Sequence, residues 1–344
     1  MSKSHKPKLE ELEAEHRQAV VSSLFEELDA TDCKAVAIGL DMAASEQNWG
    51  LSVISLDSSR SKGQLHLLLP YRKNFEGFKK QCPVKPSSVY LRHLLSGLKE
   101  RELPTAIAVD IPLGWPVSHP RFTQNWSAEL GCMNGDLVKR DDFELRKTDQ
   151  CFKKKFVETD KSASVLSVGT DKIACAAFEW AKLRVELSNL VDSCDVGFGV
   201  PANSQTVLFE TYPAAFVRLN YPKWIKYKNG KKSKKHPEKN RTAKELRQGL
   251  TDVLLGEYRL DPCHVQQYLQ QAFETKKSDA FDGFISALCA WDYMRHRRDS
   301  SSHTMTFPET MLNEPLDDEL EKTIRKEGWI LTRKSAFKTG KPLA

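Results

Sequence analysis

The chain has 344 residues, of which 40% are hydrophobic and 28% charged, with a formal net charge of +6. That length allows one large domain or two ordinary ones, and the composition supports a buried core under a well-solvated surface. No apolar run approaches the about 18 residues that cross a bilayer, and the polar segment Met1 to Glu10 has no apolar stretch behind it, so the expectation is a cytoplasmic protein with neither membrane span nor secretory signal.

In chain order, Leu9, Leu12, Ala19, Val20, Leu24 and Leu28 have the spacing of an amphipathic helix over 8–29. Three apolar runs follow, AVAIGLD at 35–41, WGLSVISL at 49–56 and QLHLLL at 64–69, joined by short polar connections. They predict a three-stranded antiparallel meander. Helical spacing over 87–100 leads to TAIAVDI at 105–111, a fourth strand stopped by Pro112 and Gly114. Residues 115–170 read as irregular, and a stretch this long inside a compact domain is either functional or contains helices the pattern does not reveal. A helix is expected over 171–190, a fifth strand over 205–211, helical segments near 242–255 and 263–274, and a long helix over 278–296. Residues 299–304 read as a linker, and Trp329 to Leu331 as a short strand.

This order divides the chain into an N-terminal helical extension (1–33), a main domain (34–298) with insertions at 115–170 and 222–262, and a C-terminal tail (299–344). Strands at the start and crossover helices later predict an α/β fold, a mixed sheet with helices on both faces. The eight cysteines form no C-x-x-C pair and no zinc spacing, so reduced thiols are expected.

Acidic residues end the apolar runs. Asp41 closes the first strand, Asp110 lies at the end of the fourth, and Glu210 ends the fifth. Asp279 and Asp282 lie three apart on the last long helix and share a face. Each has a plain local reading: Asp41 and Asp110 as turn formers, Glu210 as the partner of a lysine, Asp279 as a helix cap. A carboxylate buried at a strand end is costly unless a cation or hydrogen bonds offset it. Three such ends plus a helical pair therefore point to a shared centre. Hard divalent cations, Mg²⁺ or Mn²⁺, take oxygen ligands of this kind, and a pair of ions about 4 Å apart serves phosphodiester chemistry.

The stretches AVAIGLDMA, AIAVDIPLGWP, FELRKTDQ, VLFETYPAA, SDAFDGFISALCAW and EGWIL resemble the domain-of-unknown-function family four-two-nine, grouped with the ribonuclease H-like superfamily. The resemblance spans about residues 35 to 331. It implies a ribonuclease H-like mixed sheet, in which an antiparallel meander is extended by parallel strands. Within that superfamily the acidic pattern is similar to that of Holliday-junction resolvases. Carried over, Asp41 would bridge two metals, Asp110 or Glu210 would bind one each, and Asp282 would hold the nucleophile-side ion with Asp279 assisting. The family also has an Arg and a Thr-Asp after the fourth strand, matched by Arg146, Thr148 and Asp149. Arg146 is open to two readings, a phosphate contact or an ion pair with Asp149 or Glu144. Two features depart from the family core, the N-terminal extension and a lysine-rich insertion. Gly283, directly after Asp282, costs about 1 kcal/mol of helix stability and permits close backbone approach.

The lysine-rich block at 223–247, KWIKYKNGKKSKKHPEKNRTAKELR, reads as a solvated loop or a phosphate-tracking surface. Lys228, Lys231 and Lys232 are its candidate substrate contacts, with Arg146 and Asp149. Trp115 and Trp126, near Asp110, could line a cleft, whereas Trp180 has core spacing. Walker A, G-x-G-x-x-G, HExxH and G-x-S-x-G patterns are missing. The expected function is metal-dependent hydrolysis of nucleic-acid phosphodiester bonds. The alternatives are an actin- or sugar-kinase-like phosphotransferase on the same fold, and a non-catalytic interaction module with a relict site.

Overall fold

The computed structural model describes residues 6–43, 49–59, 61–69, 71–73, 82–84, 87–115, 132–133, 136–137, 145–159, 171–195, 204–230, 241–261, 279–296, 305–312 and 316–333. Helix α1 (Lys6–Asp29) precedes β1 (Ala35–Asp41), β2 (Gly50–Leu56) and β3 (Gly63–Leu69). These strands pair antiparallel, with Asp41 opposite Gly50 and Leu56 opposite Gly63. A separate ribbon, β4 (Tyr71–Lys73) with β5 (Cys82–Val84), comes next. Ser87 caps α2 (Ser88–Glu100) by accepting a hydrogen bond from the Tyr90 amide. Helix α2 returns the chain to β6 (Thr105–Asp110), which lies parallel to β1 with Asp110 in register with Asp41.

A second small ribbon, β7 (Cys132–Met133) with β8 (Asp136–Leu137), leads to helices α3 (Lys147–Thr159) and α4 (Asp171–Glu186). Then come β9 (Ser193–Asp195), β10 (Thr206–Glu210), α5 (Pro213–Asn220), α6 (Ala243–Glu257), β11 (Leu260–Asp261), α7 (Asp279–His296), α8 (Pro308–Met311) and α9 (Asp318–Glu327). The main sheet has seven strands in the order β11-β3-β2-β1-β6-β10-β9. Strands β6, β10 and β9 run parallel to β1. The mixed sheet with helices on both faces, expected from the sequence, is present.

Alternation along the strands divides the core in two. One side of the sheet packs Val36, Ile38, Ile107 and Leu208 against α1, α2 and α4. The other packs Ala37, Ala108, Val207 and Phe209 against α3, α5, α6 and α7. Strand β2 is buried along its whole length because it lies inside the sheet and is covered on both sides.

Three segments carry further structure among their described residues. The stretch 115–170, read as irregular, contains α3 among its described residues. Phe152 and Phe156, one turn apart, face the core while the lysines between them hide the stripe from a pattern search. Of the segment 299–344, read as a tail, the described residues 305–312 and 316–333 bury Met305, Ile324, Trp329 and Leu331 in the same core as α7. Ile330 bridges the end of β10 in parallel fashion at Glu210. The insertion 222–262 is likewise built in, through Leu246, Leu250 and Leu254 of α6. The helix expected at 263–274 lies outside the described residues. No helix among the described residues is long and apolar enough to cross a membrane.

Candidate active site

Glycine fixes where α7 lies on the sheet. A Cβ on Gly39 would stand 2.0 Å from the Gly283 carbonyl oxygen and 2.1 Å from the Ala287 nitrogen. One on Gly50 would stand 1.8 Å from the Asp279 carbonyl oxygen. Backbone therefore meets backbone where the first turns of α7 cross β1 and β2, a distance only glycine permits. The close approach expected from Gly283 is part of this contact, since its own Cβ would lie 2.8 Å from the backbone of Gly50.

This crossing brings three predicted acids together. Asp41 projects from the same side of β1 as Gly39, two residues earlier, and so toward α7. Asp110 sits beside it on the neighbouring parallel strand, in register. Backbones of adjacent strands are about 4.8 Å apart, so the two carboxylates emerge side by side. Asp282 comes down from the first turn of α7 and is buried. Its Oδ1 accepts a 2.6 Å hydrogen bond from the Tyr227 hydroxyl. Its Oδ2 is 2.6 Å from the Lys228 ammonium. Lys228 reaches the acids from the turn after α5 and keeps 37% of its side chain exposed.

The electrostatics match three acids sharing one cation. Burial, then the charges of Asp282 and Asp110, push the Asp41 carboxyl well above the usual carboxylate range, against the pull of Lys228. Burial raises Asp110 to about 7, with Lys228 opposing and Asp282 and Glu210 adding to the rise. Burial works against the charge on Lys228, but Asp282, Asp110 and Asp41 hold its ammonium well above the ordinary lysine range. Burial and the charge on Asp282 raise the Tyr227 hydroxyl strongly, so it acts as a donor. Tyr212, at the end of β10, is also raised by burial and by Asp110.

Asp279 lies half-buried in the first turn of α7, and its charge adds to the repulsion on Asp41. Buried Arg247 donates to the Tyr227 carbonyl oxygen at 3.3 Å. The charge of Asp282 opposes the desolvation that lowers the Arg247 guanidinium.

Glu210 takes a different place. Alternation along β10 sets Leu208 and Glu210 on the opposite side from Val207 and Phe209. Its two oxygens each accept a 2.6 Å hydrogen bond from Arg146, and Oε2 also accepts from the Leu113 amide at 2.9 Å. Arg146 is buried, and its remaining donors are spent as well. Nε and Nη2 reach the two oxygens of Asp149 at 2.9 and 3.1 Å, and Nη1 also reaches the Glu327 carbonyl oxygen at 3.1 Å. All five guanidinium N–H groups are thus used inside the protein. Of the two readings open for Arg146, the structure shows the ion pair with Asp149, extended to Glu210. Thr148 belongs to the same clamp, its hydroxyl accepting from the Ile330 amide at 3.1 Å.

Asp41, Asp110 and Asp282 are therefore brought together, with Asp279 at the edge, while Glu210, Arg146 and Asp149 form a separate buried ion-pair group next to Asp110. Lys228, expected on the basic block as a substrate contact, faces the acids. Lys231, Lys232 and Trp126 lie outside the described residues. Trp115 is half-buried, and Trp180 is in the core as expected. Sequence reading missed Tyr227, Tyr212 and Arg247. The aromatic residue at 227, inside a run of lysines, is the only signal that could have marked the first of them.

The residues suit a hard divalent cation in chemistry. Three carboxylates with little compensating charge converge on one place, and a protein cation already stands among them. Among the described residues no group of three His, Cys, Asp or Glu is set to hold a metal ion as it stands. Loading would have to draw Asp41, Asp110 and Asp282 closer around the ion.

No curated protein and no solved structure matches the chain. A family model described as "Protein of unknown function (DUF429)" matches residues 53–309, a span that takes in β6 with Asp110, Arg146, β10 and α7 with Asp282 and begins after Asp41, and the chain belongs to this family.

Proposed function

We propose that this chain is a metal-dependent phosphodiesterase of the ribonuclease H-like type acting on nucleic acid. The observation that carries the reading is the meeting of Asp41, Asp110 and Asp282 at the crossing of β1, β6 and α7, in a buried setting that raises two of them. The strand order supports it too. An antiparallel meander continues through its first strand into parallel strands, with acids at the ends of β1 and β6 and a helix laid across β1.

Asp41, Asp110 and Asp282 would hold Mg²⁺ or Mn²⁺, and such an ion supplies Lewis acidity toward a phosphate oxygen and activates water at neutral pH. The chain's own groups prepare the place. Tyr227 donates to one oxygen of Asp282 and fixes its rotamer, leaving Oδ2 to the Lys228 ammonium. The Arg146 clamp ties the ends of β6, β10 and α9 together around Asp110. A phosphate-bearing polymer suits the surroundings, because Lys223, Lys226, Arg241 and Lys244 stand on the described parts of the same basic block that supplies Lys228. The test is cleavage of labelled DNA and RNA by the full chain with Mg²⁺ or Mn²⁺. Cleavage that requires metal and disappears in Asp41→Asn supports the reading, and no cleavage of either polymer under any metal refutes it.

A second reading rests on Asp282, whose two oxygens are already engaged by Tyr227 and Lys228. On that reading the site is a relict within an interaction module. An unchanged melting temperature across a Mg²⁺ and Mn²⁺ series would favour it.

A further inference from the structure

We infer that Lys228 takes the place of a second metal ion, so that the centre works with a single divalent cation and one fixed ammonium. The inference rests on the metal-centre reading above and specifies its composition.

The first ground is ligand supply. A two-ion centre of the kind implied by the resemblance needs a fourth strand or helix acid to hold the second cation. Glu210 and Asp279 were the candidates; Asp279 is half-buried and is the last of the charges acting on Asp41, after Asp282, Asp110 and Lys228, which leaves Glu210 as the main one. Both of its oxygens are bound to Arg146, and Oε2 carries the Leu113 amide in addition. Releasing it would leave a buried guanidinium with two of its five N–H groups unmet, so Glu210 stays committed to the clamp.

The second ground is charge. As ligands of an ion, Asp41, Asp110 and Asp282 are carboxylates and bring three negative charges, and Lys228 returns one. Just outside them, Asp279 acts on Asp41 and Arg247 on Asp282 with opposite signs. The inner group is then short of two positive charges, which one divalent ion supplies. A second divalent ion would leave a positive excess in a buried place.

The third ground is the mounting of Lys228. Its backbone is held from both sides, by buried Tyr227 before it and by Gly230 after it. Tyr227 is pinned through its hydroxyl to Asp282 and through its carbonyl to Arg247. Gly230 turns at φ 73° against the backbone of Arg241 and Ala243. The Lys228 ammonium therefore has a fixed root close to the acids. Its partly exposed stem allows the small shift that would admit one ion beside it.

The experiment uses the full-length chain stripped of metal with chelator. Mn²⁺ is titrated and its stoichiometry read by the loss of the free-ion electron paramagnetic resonance signal. At saturation, Lys228 is probed by acetylation with an activated ester and peptide mass spectrometry. The wild type is expected to bind one Mn²⁺, with Lys228 at least fivefold less acetylated than Lys223, an exposed lysine. Lys228→Met is expected to bind its Mn²⁺ at least tenfold more tightly, because the competing ammonium is gone, and Lys228→Arg to bind one ion as the wild type does. Two ions in the wild type would overturn the inference, as would Lys228 acetylation that rises to the Lys223 level when Mn²⁺ is added. Those two readouts need only the wild type, so they decide even where a variant fails to fold. Absence of any Mn²⁺ binding to the wild type would overturn the metal-centre reading itself along with this one.

Discussion

Replacing Arg146 by Met should unfold much of the site's support. The side chain is similar in length and apolar, so packing is largely kept and the charge is what changes. In the wild type five N–H groups of Arg146 meet five acceptors on Asp149, Glu210 and Glu327. In the variant, Glu210 keeps one donor, the Leu113 amide, and Asp149 keeps the amide of residue 146. Two buried carboxylates then lack a cation. Breaking a buried ion pair from one side costs about 3–5 kcal/mol. That is a large part of the about 5–15 kcal/mol that holds an ordinary domain together. The cost has a direction in pH. Burial already raises Glu210, and Arg146 pulls it back. Without Arg146, Glu210 rises further above its unfolded value. The native state then holds a proton that the unfolded state releases, and stability is lost as pH climbs through that window. The deficit should therefore be larger at pH 8 than at pH 5. Urea denaturation of wild type and Arg146→Met at both values, followed by circular dichroism and tryptophan fluorescence, measures it. A loss below about 1 kcal/mol at pH 8, or one that shrinks from pH 5 to pH 8, would refute the account. Arg146→Lys should recover only part of the loss, because three donors on a single nitrogen cannot reproduce the fork.

Further predictions concern the crossing and the acids. Gly39→Ala forces a methyl group into the backbone of α7, 2.0 Å from a carbonyl oxygen, and should cost at least about 3 kcal/mol in urea titration, at the upper end for overpacking. Metal-free protein should lose stability as pH rises from about 4 to about 7 through Asp110, whose folded value is raised to about 7. Asp110→Asn should flatten that profile in chelator, and an unchanged slope would count against the buried cluster. Mg²⁺ or Mn²⁺ should raise the melting temperature of the wild type and leave that of Asp41→Asn unmoved; equal shifts in both would place the ion elsewhere. Tyr227→Phe removes the donor to Asp282 Oδ1 and should cost about 2 kcal/mol, the scale of a buried hydrogen bond to a charged group, with weaker Mn²⁺ binding in the same protein.

What the sequence by itself determined was local. The runs at 35–41, 49–56, 64–69, 105–111 and 205–211 became strands within a residue at either end because β-branched and leucine-rich segments bounded by turn residues have one good way to bury both faces. It also marked Asp41, Asp110 and Asp282 as acids in places that burial makes costly, and Gly283 as a point of close approach. Other properties depend on residues far apart in the chain. Arg146 looked equally suited to phosphate and to carboxylate. It became a clamp because α3 delivers it to the end of β10, next to the Glu327 carbonyl 181 positions away. Glu210 carried the same signal as the other strand acids, yet strand parity and Arg146 removed it from their company. Lys228 is one lysine among many in its block, and only the turn after α5 sets it against Asp282. Charge and hydrogen bonding act through space, so which buried acid meets which cation is fixed by packing rather than by spacing along the chain.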